Sequence, residues 1–272
     1  MSTASQSGTE KAIVFENVSL RFDEQVVLDG LSFELDHGAT KVLLGVAGAG
    51  KTTILKLTLG LVRPDNGRIF VLGQEVTAMR ETELFELRRR LGIVFQESAL
   101  FDSQTVEENV AFRLLEERVP EHEIERRVLE ALRFVELEQT LNLLPAELSG
   151  GMRRRVAIAR AIISNPEILL YDSPTAGLDP VTSTTIMELL MKQRDVYHTS
   201  ALLVTHRLQD AFMMATHVFS REQNKMVPVP PGTDWDSKMN FMVLKDGKIF
   251  FEGSAAEIAN SDDQYIREYL TL

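Results

Sequence analysis

The chain contains no cysteine. Disulfides, thiolate nucleophiles and Cys-ligated zinc or iron–sulfur centres are therefore excluded, and the composition suits a reducing cytosol. Long apolar runs are missing too. A membrane-spanning helix needs about 18 consecutive apolar residues, whereas the most apolar stretches here, 41–45, 168–171 and 201–204, are far shorter. Residues 1–11 are rich in Ser, Thr and Gly and lack the apolar segment of a signal peptide, so they are expected to be a flexible tail. Positive charge is scarce: 29 Lys and Arg face 40 Asp and Glu, a net charge of −11. Such a surface argues against a broad grip on the phosphate backbone of a nucleic acid. No internal repeat or low-complexity tract is evident. What is present is 272 residues, 44% of them apolar, enough for one large domain or two small ones with a real core.

Four short apolar runs, 42–44, 93–95, 168–171 and 201–204, have the continuous pattern of strands buried on both faces of a parallel sheet. Helical patterns separate them at 52–61, 82–90 and 121–138. In the last of these Ile124, Val128, Leu132 and Val135 form one apolar face. Alternating strands and helices predict an α/β fold. At the start, 13–15, 18–22 and 31–35 read as strands with no helix between them, which predicts an antiparallel piece at one side. Residues 97–160 read as an inserted helical subdomain, and a Pro-rich insertion covers about 220–240. Residues 241–244 and 249–251, joined through Asp246-Gly247, predict a hairpin.

The strongest chemical signal is Gly45-Val46-Ala47-Gly48-Ala49-Gly50-Lys51-Thr52, a complete G-x-x-x-x-G-K-[ST] between a predicted strand and a predicted helix, with Thr53 directly after it. The glycines let backbone N–H groups curl around an anion at a helix N-terminus. Lys51 would reach the outer phosphates and the Thr52 hydroxyl would ligate Mg²⁺. Asp172, at the end of the 168–171 strand, would be the second handle on Mg²⁺; by itself it could equally cap a turn. Leu148-Ser149-Gly150-Gly151-Met152 opens a helix and makes another anion-binding terminus. One nucleotide does not need two such cradles, so the second makes sense as part of a partner molecule's site.

On these motifs and their order the chain resembles the ABC-type ATPases, the nucleotide-binding subunits of ABC transporters, from about residue 13 to 269. The resemblance implies a P-loop NTPase (RecA-like) parallel-sheet core with an antiparallel β subdomain and an inserted α-helical subdomain, in one ATPase domain over 12–272. It implies ATP and Mg²⁺ as cofactors. By position, Phe22 resembles the aromatic that stacks on adenine, although the family usually has Tyr there. Gln96 resembles the Q-loop glutamine that senses Mg²⁺ and the transporter. Ser149, Gly150 and Gly151 resemble the signature that contacts the γ-phosphate held by the partner. Asp179, in 176–179, resembles the D-loop aspartate, and His206 the switch histidine. Taken singly, Phe22 also reads as core, Gln96 as a loop amide and His206 as an exposed strand end.

One position departs from the family. The general base is usually a Glu directly after the strand-end Asp, and here Ser173 stands in its place. A serine cannot accept a water proton at neutral pH as a carboxylate does. Losing a general base costs about 10²–10⁴ in rate. Slow hydrolysis supported by His206, an ATP-binding clamp or regulatory subunit, and an introduced block all remain open, with slow hydrolysis favoured. Met152 replaces the signature's usual Gln and Arg153–Arg155 follow it. With 88–102 and 105–110, these residues resemble the Mla/Mce-associated branch that powers phospholipid or other hydrophobic-substrate transport. That implies a homodimer, separate transmembrane permease subunits, an MCE-type lipid-binding protein, and a place on the cytoplasmic face of the inner membrane. Phe95, Leu100 and Phe101 would line the groove for the membrane subunit, or belong to the core. Nucleic-acid-linked relatives fit less well, because Lys51 and Ser149 lie too close in sequence to hold a long coiled coil between them.

Overall fold

The computed structural model describes residues 11–230 and 238–271. The expected tail, apart from Lys11, and Pro231 and Gly232 of the Pro-rich stretch lie outside the described residues. Lys11 itself belongs to the fold. It opens the first strand, and its ammonium donates to Asp36 Oδ1 at 2.6 Å.

The chain begins with two long strands, β1 (Lys11–Phe22) and β2 (Gln25–Asp36), followed by β3 (Thr40–Gly45) and helix α1 (Lys51–Thr58). β4 (Asn66–Val71) and the two-residue β5 (Gln74–Glu75) precede α2 (Glu81–Arg88) and β6 (Leu91–Val94). Three helices follow, α3 (Val106–Glu116), α4 (Glu121–Phe134) and α5 (Gly150–Ile162). β7 (Ile168–Asp172), α6 (Pro180–Tyr197), β8 (Ser200–Val204) and α7 (Leu208–Thr216) complete the α/β alternation. Two hairpins come last, β9 (His217–Ser220) with β10 (Lys225–Pro228), and β11 (Met239–Lys245) with β12 (Lys248–Gly253). Helices α8 (Ala255–Ala259) and α9 (Gln264–Thr271) follow them.

β11, β3, β8, β7 and β6 lie parallel in that order, with β12 added antiparallel at the β11 edge. The four predicted parallel strands are all present, and their uninterrupted apolar character has a direct cause. Alternate residues enter two different cores. Val42, Leu44, Leu169, Tyr171, Ala201 and Leu203 pack with the helices, whereas Leu43, Ile168, Leu170, Leu202 and Val204 pack under the second sheet. That sheet is antiparallel, ordered β2-β1-β4-β5, and contributes Phe15 and Phe33, stacked at 4.5 Å, to its core. The fold is thus the α/β P-loop architecture expected from the sequence, with its antiparallel sheet at the start of the chain.

Several boundaries differ from expectation. β6 stops at Val94, so Phe95 belongs to the following loop. The first helix ends at Thr58 because Gly60, at φ 64°, turns the chain into the left-handed region and the Leu61 amide reaches back to Lys56 O at 2.9 Å. α4 ends at Phe134 through the same arrangement built on Glu136 at φ 57°, with the Leu137 amide on Leu132 O. The hairpin through Asp246 (φ 50°) and Gly247 (φ 74°) is where it was expected. Where the Pro-rich stretch begins, the β9–β10 hairpin docks on α6, and the Met226 amide donates to Glu188 Oε1.

Candidate functional site

The parallel sheet brings the candidate residues together at one edge. β3, β6, β7 and β8 all point their C-terminal ends the same way, and in such sheets that edge is where ligands bind. From these ends emerge residues 45–52 after β3, Gln96 after β6, Asp172 at the tip of β7, and His206 just past β8. Asp172 pairs in register with Val204, two residues before His206.

Residues 45–50 form a glycine-dependent cradle. Gly45, Gly48 and Gly50 have φ of 144°, 80° and 94°, values that favour glycine over residues carrying a Cβ. A Cβ on Gly45 would sit 2.6 Å from Leu244 O, and one on Gly50 would sit 2.9 Å from a Leu28 methyl. α1 starts at Lys51 without a side-chain cap, so its first amides are free to face an anion. The Lys51 ammonium is buried and donates to Gly45 O at 2.7 Å and Val46 O at 2.9 Å. Burial lowers its pKa from the ordinary lysine value, and the charge on Asp172 opposes that shift. The Thr52 hydroxyl donates to Asp172 Oδ2 at 2.9 Å. Among the described residues no cluster of three or more His, Cys, Asp or Glu could hold a metal. Thr52 and Asp172, two hard oxygen donors side by side, are the pair whose chemistry suits Mg²⁺.

Ser149 caps α5 and accepts from the Met152 amide at 3.2 Å. Leu148 is buried beneath it, Gly150 is exposed and Gly151 half-buried. Gly151 is required by packing: a Cβ there would lie 2.4 Å from Thr182 Cγ2 at the start of α6. Thr182 in turn donates its hydroxyl to Asp179 Oδ2 at 2.5 Å. Asp179 caps α6 by accepting from the amides of Val181 and Thr182, each at 3.0 Å. The Thr182 hydrogen bond is the main cause holding the exposed Asp179 carboxyl below its ordinary pKa.

A family model described as ABC transporter matches residues 28–176, more than half of the chain. The chain belongs to that family. It is similar to the chloroplastic protein TRIGALACTOSYLDIACYLGLYCEROL 3 of Arabidopsis thaliana, at 35% identity over 98% of this chain and 75% of that one. It is also similar to the intermembrane phospholipid transport system ATP-binding protein MlaF of Haemophilus influenzae, at 30% identity over 96% and 90% of the two chains. A methionine import ATP-binding protein, MetN 2 of Bacillus cereus, is 39% identical over 79% of this chain and 65% of that protein. Among solved structures, a dimeric ATP-binding cassette bound to ADP and Pi in a post-hydrolysis state superposes with a TM-score of 0.75. Its identity is 29%, over 89% of this chain and 98% of that one. This chain is therefore an ABC transporter ATP-binding subunit, an ABC-type ATPase.

The remaining candidates of this ABC subunit fall as follows. Ser173 is buried at φ 49°, with its amide donating to Val204 O at 2.8 Å. His206 and Gln96 are exposed. Phe22, at the tip of β1, is 49% exposed, so its ring is available for stacking. The hairpin it begins returns through Val27 and Leu28, which abut Gly50. Phe95 and Phe101 line an apolar cavity of about 510 Å³, with Leu61, Phe85, Phe112 and Arg160 among the other walls. Leu100 takes the other of its two expected places and packs against the helical core.

Two groups at this edge carried no motif signal. Arg154 and Arg160, on α5, donate to the loop that bears Gln96. The run Arg153–Arg155 was visible as charge, but its reach to a loop nearly 60 residues earlier was not. Asp210 is the second. Buried at the start of α7, it accepts from the Thr175 hydroxyl, and burial raises its pKa above the ordinary aspartate value.

Proposed function

We propose that two copies of this chain close on two ATP–Mg²⁺, each held between residues 45–53 and Asp172 of one copy and Leu148–Met152 of the other. Closure would drive phospholipid or another hydrophobic substrate through separate transmembrane permease subunits. The observation that carries this reading is the presence, on one chain, of a complete phosphate cradle and a second exposed anion-binding terminus whose packing neighbours are on α6. Phe22 would stack on adenine, Lys51 would hold the outer phosphates, and Thr52, Asp172 and Gln96 would hold Mg²⁺. Asp179 and His206 would sit at the closed interface. Because phosphoryl transfer rests on positioning and electrostatics, hydrolysis continues slowly despite Ser173.

The membrane partner would seat in the cavity lined by Phe95 and Phe101, since exposed apolar groups of that kind need a protein cover. Among the described residues no helix is long and apolar enough to cross a membrane. The chain is accordingly proposed to lie on the cytoplasmic face of the inner membrane through its partners, with an MCE-type lipid-binding protein in the same complex. The lipid reading is supported by similarity to the plastid protein and MlaF along 96–98% of this chain. Import of a small polar substrate is the second reading, favoured by the higher local identity to the methionine import protein.

Lys51→Ala should abolish ATP-induced dimerisation in size-exclusion chromatography with light scattering. A dimer that persists with ATP would refute the shared-site arrangement. Mass spectrometry of the affinity-purified complex decides the substrate: bound phospholipid supports the first reading, and a complex without lipid that retains methionine supports the second.

A further inference from the structure

The first part of the loop after β6, residues 95–99, is held by one helix. Arg154 Nη1 donates to Phe95 O at 2.7 Å, and its Nη2 donates to the carbonyl of Gln96 itself. Arg160, six residues further along α5, donates to Ser98 O and Ala99 O, both at 2.8 Å. Four of five successive carbonyls thus end on two guanidinium groups of the helix that Ser149 caps. The loop needs that support: Ser98 and Ala99 have φ of 62° and 48°, two adjacent non-glycine residues in the left-handed region. Such a pair persists only where its surroundings hold it.

Arg154 is an expensive way to satisfy carbonyls. The residue is 5% exposed, its Nε has no hydrogen-bond partner among the described residues, and its hydrogen bonds go to carbonyls, not to a carboxylate. A buried cation without a paired anion carries a large desolvation cost. The charges that favour it are Glu97, next to Gln96, and Asp172 across the cleft. Arginine suits this job because its planar fork presents two donors in fixed geometry, whereas a lysine ammonium is a point charge on a shorter, flexible stem.

We infer that Arg154 is a positioning residue for Gln96: from the signature helix it fixes the backbone from which the Gln96 side chain would reach a Mg²⁺ held by the Thr52–Asp172 oxygens. The inference rests on the proposed role of Gln96 toward Mg²⁺. Groups that orient a metal's donors are worth about 10–100-fold in metal affinity. The readout is therefore the ratio of ATP affinity in Mg²⁺ to ATP affinity in EDTA, measured on the full chain by nucleotide fluorescence.

Gln96→Ala should lower that ratio by about tenfold or more, and Arg154→Met should lower it by a similar factor. The double variant should be no worse than Gln96→Ala alone, because the two act as one unit. Arg154→Lys, which keeps the charge and one hydrogen bond, should fall between wild type and Arg154→Met, and it carries the test if Arg154→Met does not fold. An unchanged ratio in the Arg154 variants, or losses that multiply with that of Gln96→Ala, overturns the positioning role alone. An unchanged ratio in Gln96→Ala overturns the role of Gln96 and the positioning role together.

Discussion

Replacing Ser173 with glutamate should accelerate ATP turnover. The backbone there is already committed. Ser173 sits at φ 49°, its amide is bonded to Val204 O at 2.8 Å and its carbonyl accepts from the Ala176 amide at 3.0 Å. Any L-residue bears the left-handed strain of about 1–2 kcal/mol, so serine and glutamate carry it alike and the exchange adds none. The new carboxyl would branch from the residue after Asp172, at the cleft edge, and repulsion between neighbouring carboxylates raises the pKa of one of them toward that of a useful base. A general base contributes about 10²–10⁴ in rate, or roughly 3–5 kcal/mol of barrier. Against this stands packing: Ser173 is only 6% exposed, and an overfilled site loses about 1–3 kcal/mol of stability, which thermal unfolding would report separately. The assay is single-turnover phosphate release from the full complex, with Ser173→Gln as a control of equal size that cannot take a proton. The expected order is Glu far above Gln, with Gln close to wild type. Equal rates for Glu and Gln would show that Ser173 does not limit chemistry.

Two further outcomes follow from packing and charge. Gly151→Ala places a methyl 2.4 Å from Thr182 Cγ2; at about 1–3 kcal/mol of strain it should weaken ATP-driven dimerisation roughly ten- to hundredfold. Adding Thr182→Ser, which removes that methyl but keeps the hydroxyl on Asp179, should restore dimerisation in light scattering, and failure to restore it refutes the steric account. Glu252→Ala strips the carboxylate from Lys41, whose nearly buried ammonium then keeps Asn240 Oδ1 at 2.8 Å and the Phe33 ring at 5.5 Å. The expected loss near neutral pH is about 2 kcal/mol, below the usual figure for breaking a buried pair because Glu252 is a third exposed. Burial already holds the Lys41 pKa below 10.5, and Glu252 opposes that shift. The folded state therefore binds fewer protons than the unfolded one, and stability rises with pH between the folded pKa and 10.5. In the variant the folded pKa drops further, so urea titrations should show its deficit shrinking on approach to that value; a widening deficit refutes the assignment.

What could be read from the residues was what local chemistry determines. Strands β3, β7 and β8 announced themselves because both faces are buried, and Asp246-Gly247 marked its hairpin because both residues must turn left-handed. Residues 45–52 are a local device whose spacing carries its own mechanism. The helix ends were harder: Gly60 offers the usual stop, but α4 stops on Glu136, which no residue-type rule nominates. α3 had a readable start in the Thr105 and Glu108 capping box. Illegible altogether were features made by tertiary approach, namely Arg154 and Arg160 meeting the Gln96 loop and Gly151 pressed on Thr182. Leu100 turned inward for the same reason, since nothing in its neighbourhood says which side of a loop faces the helices.

The two halves of the proposed composite site differ in how they are built, and the difference explains how one could move relative to the other. Residues 45–52, Asp172 and His206 hang from adjacent parallel strands whose ladders fix them in register, so they form a rigid floor. Ser149 to Gly151 stand at a helix N-terminus outside that sheet. Among the contacts that tie this terminus to the rest of the chain are the Arg154 hydrogen bonds to the loop after β6 and the close approach of Gly151 to Thr182, which is bonded to Asp179. Both are non-covalent, both involve residues at the cleft edge, and Arg160 extends the first into the wall of the apolar cavity. A partner seated in that cavity would act on the Gln96 loop and on the signature helix through the same two guanidinium groups. Binding energy at the membrane side and geometry at the phosphate side would then be coupled without any strand of the sheet having to shift.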